Sequence, residues 1–246
     1  MELVFSSGPP LSDLAFERDI IAAAVAEPVL FIYEWKTPFL VMGYSQDFAG
    51  IRIDHLRSSG ITVLRRMTGG TAVLGRKALS ASLVVPAGKE GRRDLSITGC
   101  YDLFTCSIRD GLKEGGVIAE RCSVREKSGS PVCFFGRGPE TLLVEGRKIF
   151  GGAQRRISGL ALVHGVLLLD EAPDLHALVF GVTEEEVQRR IASVGVNDIG
   201  RLKRNIGLAF AQRLDEKITG IFKAEPTLAS IKEQKSGKWS PLSGIR

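Results

Sequence analysis

The chain has 246 residues, 44% hydrophobic and 25% charged, which is enough apolar content for a full core and too much for a disordered chain. A formal charge of +5 is modest for this length, so no nucleic-acid partner is expected, and small acidic carrier proteins suit it equally well. No apolar run of about 18 residues and no basic, apolar and small-residue leader pattern occurs, so the expectation is a cytoplasmic protein with no membrane partner.

Leu11 to Val25 reads as an opening helix with Ser12 as its N-cap and Leu14, Ile21 and Ala24 among its apolar positions. Val29 to Tyr33, Phe39 to Met42, Ile61 to Arg66 and Ala81 to Val85 read as strands, with Pro86 ending the last. Between Ser96 and Leu112 the residues Ile97, Tyr101, Phe104, Ile108 and Leu112 recur at helical spacing. Thr141 to Val144 and Arg147 to Gln154 flank Glu145-Gly146, a tight hairpin turn, and Leu160 to Leu169 adds a third strand. Thr183 with Glu186 forms a capping-box pattern for a helix to about Ala192, and Arg201 to Leu214 reads as another. Strands interspersed with helices and no regular βαβ repeat indicate an α+β fold, a mixed or antiparallel sheet flanked by helices. The expected division is a catalytic core over 1–182, helices packed on or near it over 183–222, and a basic, weakly ordered tail over 223–246.

Glu145-Gly146-Arg147-Lys148-Ile149-Phe150-Gly151-Gly152-Ala153-Gln154 puts a lysine at the mouth of a strand that carries two glycines. A strand gives up packing in this way where something must approach its backbone closely, and here an acyl chain is expected. With Leu64-Arg65-Arg66-Met67-Thr68-Gly69-Gly70-Thr71-Ala72 upstream and His164-Gly165-Val166-Leu167-Leu168-Leu169 downstream, the chain resembles the lipoate-protein ligase and octanoyltransferase family. The likeness begins at Tyr33-Glu34-Trp35 and Gly43-Tyr44-Ser45-Gln46 and extends to about Asp170. It implies a biotin/lipoate protein ligase-like catalytic domain.

The resemblance also implies site residues. Lys148 would meet the carbonyl or phosphate end of the acyl substrate, a cation that stabilises charge on oxygen and whose removal spares the fold. Arg65, Arg66, Thr68, Gly69, Gly70, Thr71 and Ala72 would hold an anionic headgroup, and Gly151, Gly152, Ala153 and Gln154 would flank the chain, with Gly152 beside it. His164 has two open readings, a histidine satisfied by backbone and one that orients substrate. Cys133, in Val132-Cys133-Phe134-Phe135, resembles the Cys-Phe element of cysteine-dependent octanoyltransferases, whose thiolate takes the acyl group as a new thioester. Cys100 and Cys106 lie on the predicted helix as packing residues, and the four cysteines lack zinc-site spacing, so no metal or disulfide is expected.

The leading reading is transfer of an octanoyl or lipoyl group to a lysine of a lipoyl carrier domain or a glycine-cleavage H-like protein, without cofactor, and with acyl carrier protein as a possible donor. The second is an ATP- and Mg²⁺-dependent lipoate-protein ligase acting on free lipoate or octanoate. A third is an impaired relative that only binds lipoate or carrier domains. It is motivated by Thr71, by Gly75 where family members carry histidine, and by Gly136-Arg137-Gly138.

Overall fold

Val29-Leu30-Phe31-Ile32-Tyr33 is apolar on both side-chain rows, and Ala78 to Pro86 is broken only by Ser80 and Ser82, runs that only a strand covered on two faces can bury. In the computed structural model, which describes residues 1–86 and 96–224, these stretches are the adjacent strands β2 and β6 at the heart of a mixed sheet. The first half of the chain runs β1 (Glu2–Ser6), α1 (Pro10–Ala22), β2 (Val29–Trp35), β3 (Phe39–Met42), α2 (Ile53–Ser58), β4 (Thr62–Arg65), β5 (Val73–Gly75), β6 (Ala78–Pro86) and α3 (Ile97–Glu114). It continues through β7 (Glu120–Arg121), a 3-10 turn at Cys133–Phe135, β8 (Thr141–Val144), β9 (Arg147–Ile157), β10 (Leu160–Leu168), α4 (Pro173–Phe180), α5 (Glu184–Arg190), α6 (Ile199–Leu214) and β11 (Gly220–Lys223).

The large sheet has the order β11-β1-β2-β6-β10-β9-β8-β7, parallel where β1 meets β2 and β11 and antiparallel elsewhere. One face packs on α3 and α6 through Phe104, Phe150 and Phe210, with ring centroids 6.1 and 5.2 Å from Phe104. The other face carries α1 and a small sheet of order β4-β3-β5. There Phe31, Tyr33, Trp35 and Phe39 stack in succession at 4.6, 5.4 and 4.7 Å. Each fully buried phenylalanine contributes about 3 kcal/mol, so this ladder is a main tie between the two sheets. A third core of Leu40, Met42, Leu56, Leu74 and Val179 closes the far side of the small sheet under α2 and α4.

The β8–β9–β10 meander forms as its turn chemistry requires. Glu145 (φ 50°) and Gly146 (φ 73°) are both left-handed, the geometry that matches the twist of a two-residue hairpin. Elsewhere the boundaries move for local reasons. α1 starts at Pro10 rather than behind a Ser12 cap, because a proline in the first turn is pre-set for a helix and gives up only an unpaired N–H. α3 runs on to Glu114 and halts at Gly115 and Gly116, and β9 continues to Ile157 because β10 pairs with it along that length. Thr183 accepts from the Glu186 amide and caps α5. Lys223, where the sequence places the start of a loose tail, is paired to Phe5 in β11, and residues 225–246 lie outside the described residues.

Candidate active site

Strand alternation sorts the motif residues. β10 places His164 opposite Ala153 on one side and Ser82 on the other, and Val166 opposite Gly151, all on the face toward α1 and the small sheet. Gly165 opposes Gly152 on the reverse face, where a Cβ on Gly165 would strike the Phe150 ring at 2.2 Å. A Cβ on Gly152 would meet the His164 carbonyl at 3.4 Å and Glu140, whereas one on Gly151 would lie 2.9 Å from Lys148 Cε and 3.1 Å from Nζ. Gly151 therefore makes room for the lysine, while Gly152 borders the cavity itself. Gln154 also turns to the α3 side, donating to the Ile97 carbonyl at 2.7 Å.

Lys148 is buried, not a surface lysine after a turn. Its Nζ donates to the carbonyl oxygens of Gly136 at 2.7 Å and Cys133 at 3.1 Å and lies 4.9 Å from the centre of the Phe134 ring. Burial pushes its ammonium below the ordinary lysine range, against the opposing influence of Cys133 and Glu140. Removing this side chain would leave two carbonyls in the turn that carries Cys133 without their donor, so the lysine holds that turn, contrary to the expectation that its loss spares the fold. Cys133 is half-buried, and its backbone is pinned to the glycine loop: its amide donates to the Ala72 carbonyl at 2.9 Å, while the Ala72 amide donates to Pro131 at 3.0 Å.

The two arginines expected to receive an anion both donate to backbone carbonyls. Arg65 donates through one nitrogen to the carbonyls of Gly43, Tyr44 and Gln46 at 2.6, 3.1 and 2.7 Å. Arg66, buried, donates to the carbonyls of Val41 (3.0 Å), Gly69 (2.7 Å) and Thr71 (3.0 Å) and to the Thr68 hydroxyl (3.1 Å). The loop packs so tightly that a Cβ on Gly43 would sit 1.8 Å from the Gly70 carbonyl oxygen. Gly75 is confined too, though less so, since a Cβ there would be 2.8 Å from the Phe39 ring. The histidine of other family members has no space at this position.

His164 is satisfied by side chains, not by backbone. Its Nε2 lies 2.6 Å from Thr68 Oγ1 and its Nδ1 3.1 Å from Glu17 Oε1, which also accepts from Tyr33 at 2.9 Å and from Ser82. Burial alone would raise the Glu17 carboxyl, but His164, Ser82 and Tyr33 together hold it below the ordinary glutamate range. Beside this network a narrow apolar cavity of about 40 Å³ is lined by Tyr33, Trp35, Val41, Gly151, His164 and Val166 among others. A second, open cleft of about 660 Å³ is lined by Gly69, Gly70, Thr71, Tyr101, Arg125, Lys127, Arg137, Glu140 and Gln154 among others. Arg66, Cys133, Gly152 and Ala153 border both, so the thiol-bearing residue sits where an apolar slot meets a polar entrance.

Residues 9–218 match the model of the lipoyl protein ligase A/B catalytic domain. The chain belongs to this family. An octanoyltransferase LipM of Lysinibacillus sphaericus is 34% identical over 173 residues, covering 67% of this chain and 62% of that protein, so the match spans less than two thirds of that relative. An octanoyltransferase LipM of Staphylococcus aureus is 28% identical over 252 residues, covering 92% of this chain and 91% of the relative. Among solved structures, a lipoate-protein ligase A bound with ATP superposes with a TM-score of 0.78 at 21% identity, covering 96% of this chain and 94% of that one. A bi-partite lipoate protein ligase from Thermoplasma acidophilum, described with its E2 lipoyl domain, superposes at 0.73 with 20% identity and 96% and 93% coverage. At such identities the structures speak for the shared fold alone.

Within this lipoyl ligase-type domain, the basic residues of the motif blocks hold backbone: Arg65 through one nitrogen, Arg66 and Lys148 donate to backbone carbonyls. No group of three or more acidic, histidine or cysteine side chains that could hold a metal occurs among the described residues, and no helix among them is long and apolar enough to cross a membrane. Glu17, Ser82 and Arg155 were not singled out from the sequence. Arg155 donates to the Met67 carbonyl at 2.8 Å and stacks on Tyr44 at 4.3 Å, tying β9 to the glycine loop. The available signal was modest: Asp13 and Glu17 one helical turn apart among apolar neighbours in a helix with two buried sides.

Proposed function

We propose that the protein transfers an octanoyl group, or its lipoyl counterpart, from a thioester to the ε-amine of a lysine on a lipoyl carrier domain, through an acyl-thioester on Cys133. The observation that carries this reading is the place of Cys133 at the junction of the apolar cavity and the open cleft, next to a buried lysine. The names of the relatives above point the same way. The donor and then the carrier lysine would reach Cys133 in turn through the cleft, while the acyl tail lies in the cavity.

In the first step the Cys133 thiolate attacks the donor carbonyl, a new thioester forms, and the donor sulfur leaves and takes up a proton. In the second the carrier amine attacks the Cys133 thioester, an amide forms, the amine loses its proton and the thiolate is restored. Lys148 supplies the electrostatics. An ammonium has three hydrogens; with two on the Cys133 and Gly136 carbonyls, one is left for the acyl oxygen as negative charge develops on it. Its lowered affinity for protons also suits it to exchange one with the thiol. An apolar cavity needs about 150 Å³ to accept benzene, so a slot of about 40 Å³ must widen for an eight-carbon tail.

With this chemistry go a thioester donor, for which an acyl carrier protein is the candidate, and a lipoyl domain or a glycine-cleavage H-like protein as acceptor. The cysteine at the cavity mouth favours this chemistry over an ATP- and Mg²⁺-dependent ligase. Intact-protein mass spectrometry after mixing with an octanoyl thioester without ATP tests the reading. The expected result is a hydroxylamine-labile octanoyl adduct on the parent, absent from Cys133→Ser. No adduct on the parent, with ATP-dependent transfer of free octanoate retained by Cys133→Ser, would assign the chain to the ligase mechanism instead. Binding of a lipoyl domain without any transfer would leave the impaired-binder reading.

A further inference from the structure

We propose that Glu17, on α1, is a positioning residue for the Cys133 site, acting through His164 and Thr68 on Arg66. Glu17 is 1% exposed, and a carboxylate so deeply buried costs several kcal/mol unless donors surround it. Three do: Tyr33 from β2, Ser82 from β6 and His164 from β10 all donate to the same oxygen. Four elements thus converge on one charge, where leucine would have served packing alone at no such cost.

The direction of the chain follows from donor and acceptor chemistry. An ionised carboxylate only accepts, so the imidazole proton is on Nδ1, and Nε2 faces the Thr68 hydroxyl. Thr68 accepts from Arg66 Nε and gives its own hydrogen to Nε2, which leaves every hydrogen along this path with an acceptor. The opposite tautomer breaks the pattern at both ends, since Nδ1 would then face the carboxylate lone pair to lone pair. At the far end Arg66 grips the carbonyls of Gly69 and Thr71, lies within electrostatic reach of Cys133, and borders the cavity with it. Glu17 thereby sets the posture of a positive charge that shares a cavity wall with Cys133.

The sign of the effect separates positioning from simple electrostatics. Deleting a negative charge in this region would by itself ease ionisation of Cys133 and quicken its reactions. Losing the hold on Arg66 slows them. The other charged and titratable groups that bear on this readout are Asp13 one turn back on α1, Tyr33 on β2 and Lys148 on β9, with Tyr101, Arg125, Glu126, Lys127, Arg137 and Glu140 along the cleft, and they are the same in parent and variant.

The inference rests on Cys133 as the acylated residue, and its test reads the thiol directly. The alkylation rate of Cys133 by iodoacetamide, located by peptide mass spectrometry, is followed from neutral to alkaline pH in the parent, Glu17→Gln and His164→Gln. The expected result is a shift of both variants to higher pH, with alkylation at neutral pH slowed on the order of tenfold, the equivalent of one pKa unit. Unchanged or faster alkylation in folded Glu17→Gln overturns the proposal. Should the variants not fold, nitrogen NMR of the parent decides, because a His164 protonated on Nε2 and bare on Nδ1 is incompatible with the relay. Failure of the parent to take octanoyl on Cys133 would instead strike the acyl-enzyme reading and leave the alkylation comparison standing on its own.

Discussion

Gly151→Ala should inactivate the protein by moving one atom group. The new Cβ would lie 2.9 Å from Lys148 Cε and 3.1 Å from Nζ. Carbon atoms settle at about 3.5–4.0 Å, so the lysine tip must retreat by roughly 1 Å. That lengthens the 2.7 Å bond to Gly136 and the 3.1 Å bond to Cys133, the second beyond useful range. A misplacement of about 1 Å at a reacting centre costs on the order of a hundredfold in rate. The fold should notice less. A weakened charge-assisted bond costs about 1.5–3 kcal/mol, offset by the gain of about 0.5–1 kcal/mol from replacing glycine with alanine in a strand, and the obstructed atoms are the far end of a flexible side chain. The net loss of about 1–2 kcal/mol corresponds to a melting-point drop of several degrees at about 2–4 °C per kcal/mol. The assay is kcat/KM for octanoyl transfer to a lipoyl domain, read by mass shift, beside thermal melts of parent, Gly151→Ala and Gly152→Ala. The alanine at 152 meets only ordinary contacts and should lose far less. Turnover by Gly151→Ala close to that of the parent would show that the seat of the lysine does not matter and would refute the reasoning.

Lys148→Met keeps the stem and removes the charge; it should lose transfer and also about 2–4 kcal/mol of stability through two orphaned carbonyls, and a denaturant melt like the parent's would contradict the structural half of that claim. Gly43→Ala forces a Cβ to 1.8 Å from the Gly70 oxygen, backbone against backbone, so the glycine loop must rebuild; limited proteolysis should show a new cut there, and an unchanged pattern would contradict it. Asp13, buried and bonded to Trp35, has its pKa raised to about 6, with burial the main cause. The folded state therefore binds this proton more tightly than the unfolded one, so stability falls as pH rises from about 4 to about 6, by up to about 3 kcal/mol, and stays lower above. Asp13→Asn keeps an acceptor for Trp35 and should flatten this slope in pH-resolved urea melts. An unaltered slope would place its origin elsewhere. Glu17, lowered, has the opposite sign: its contribution is present above the ordinary glutamate range and fades as acid titrates it.

Several features were legible in the linear chain because they depend on neighbours. The Glu145-Gly146 turn and the register of β8, β9 and β10 follow from alternation and turn chemistry within about 30 residues, and the Thr183–Glu186 cap is a four-residue event. The Cys133, Lys148 and His164 blocks could be recognised on the same terms, and the fold brings them together around one cavity. What the chain alone did not reveal is who holds whom. Arg65 and Arg66 read as anion receptors, since a guanidinium in isolation seeks negative charge; the folded protein also turns backbone carbonyls toward them, and they donate to those. Gly151 and Gly152 are adjacent letters with opposite faces, and the irregular pairing near Leu142 decides which of them fronts the lysine. Glu17 and His164 lie 147 positions apart, with nothing local to link them. The strand pairs β1 with β2 and β11, the latter more than 200 residues distant, are decided by the same cause. Local propensity specifies an element and its facing; the partner of a buried charge depends on which donors and acceptors the packed core leaves without water, and that exists only once the layers have closed.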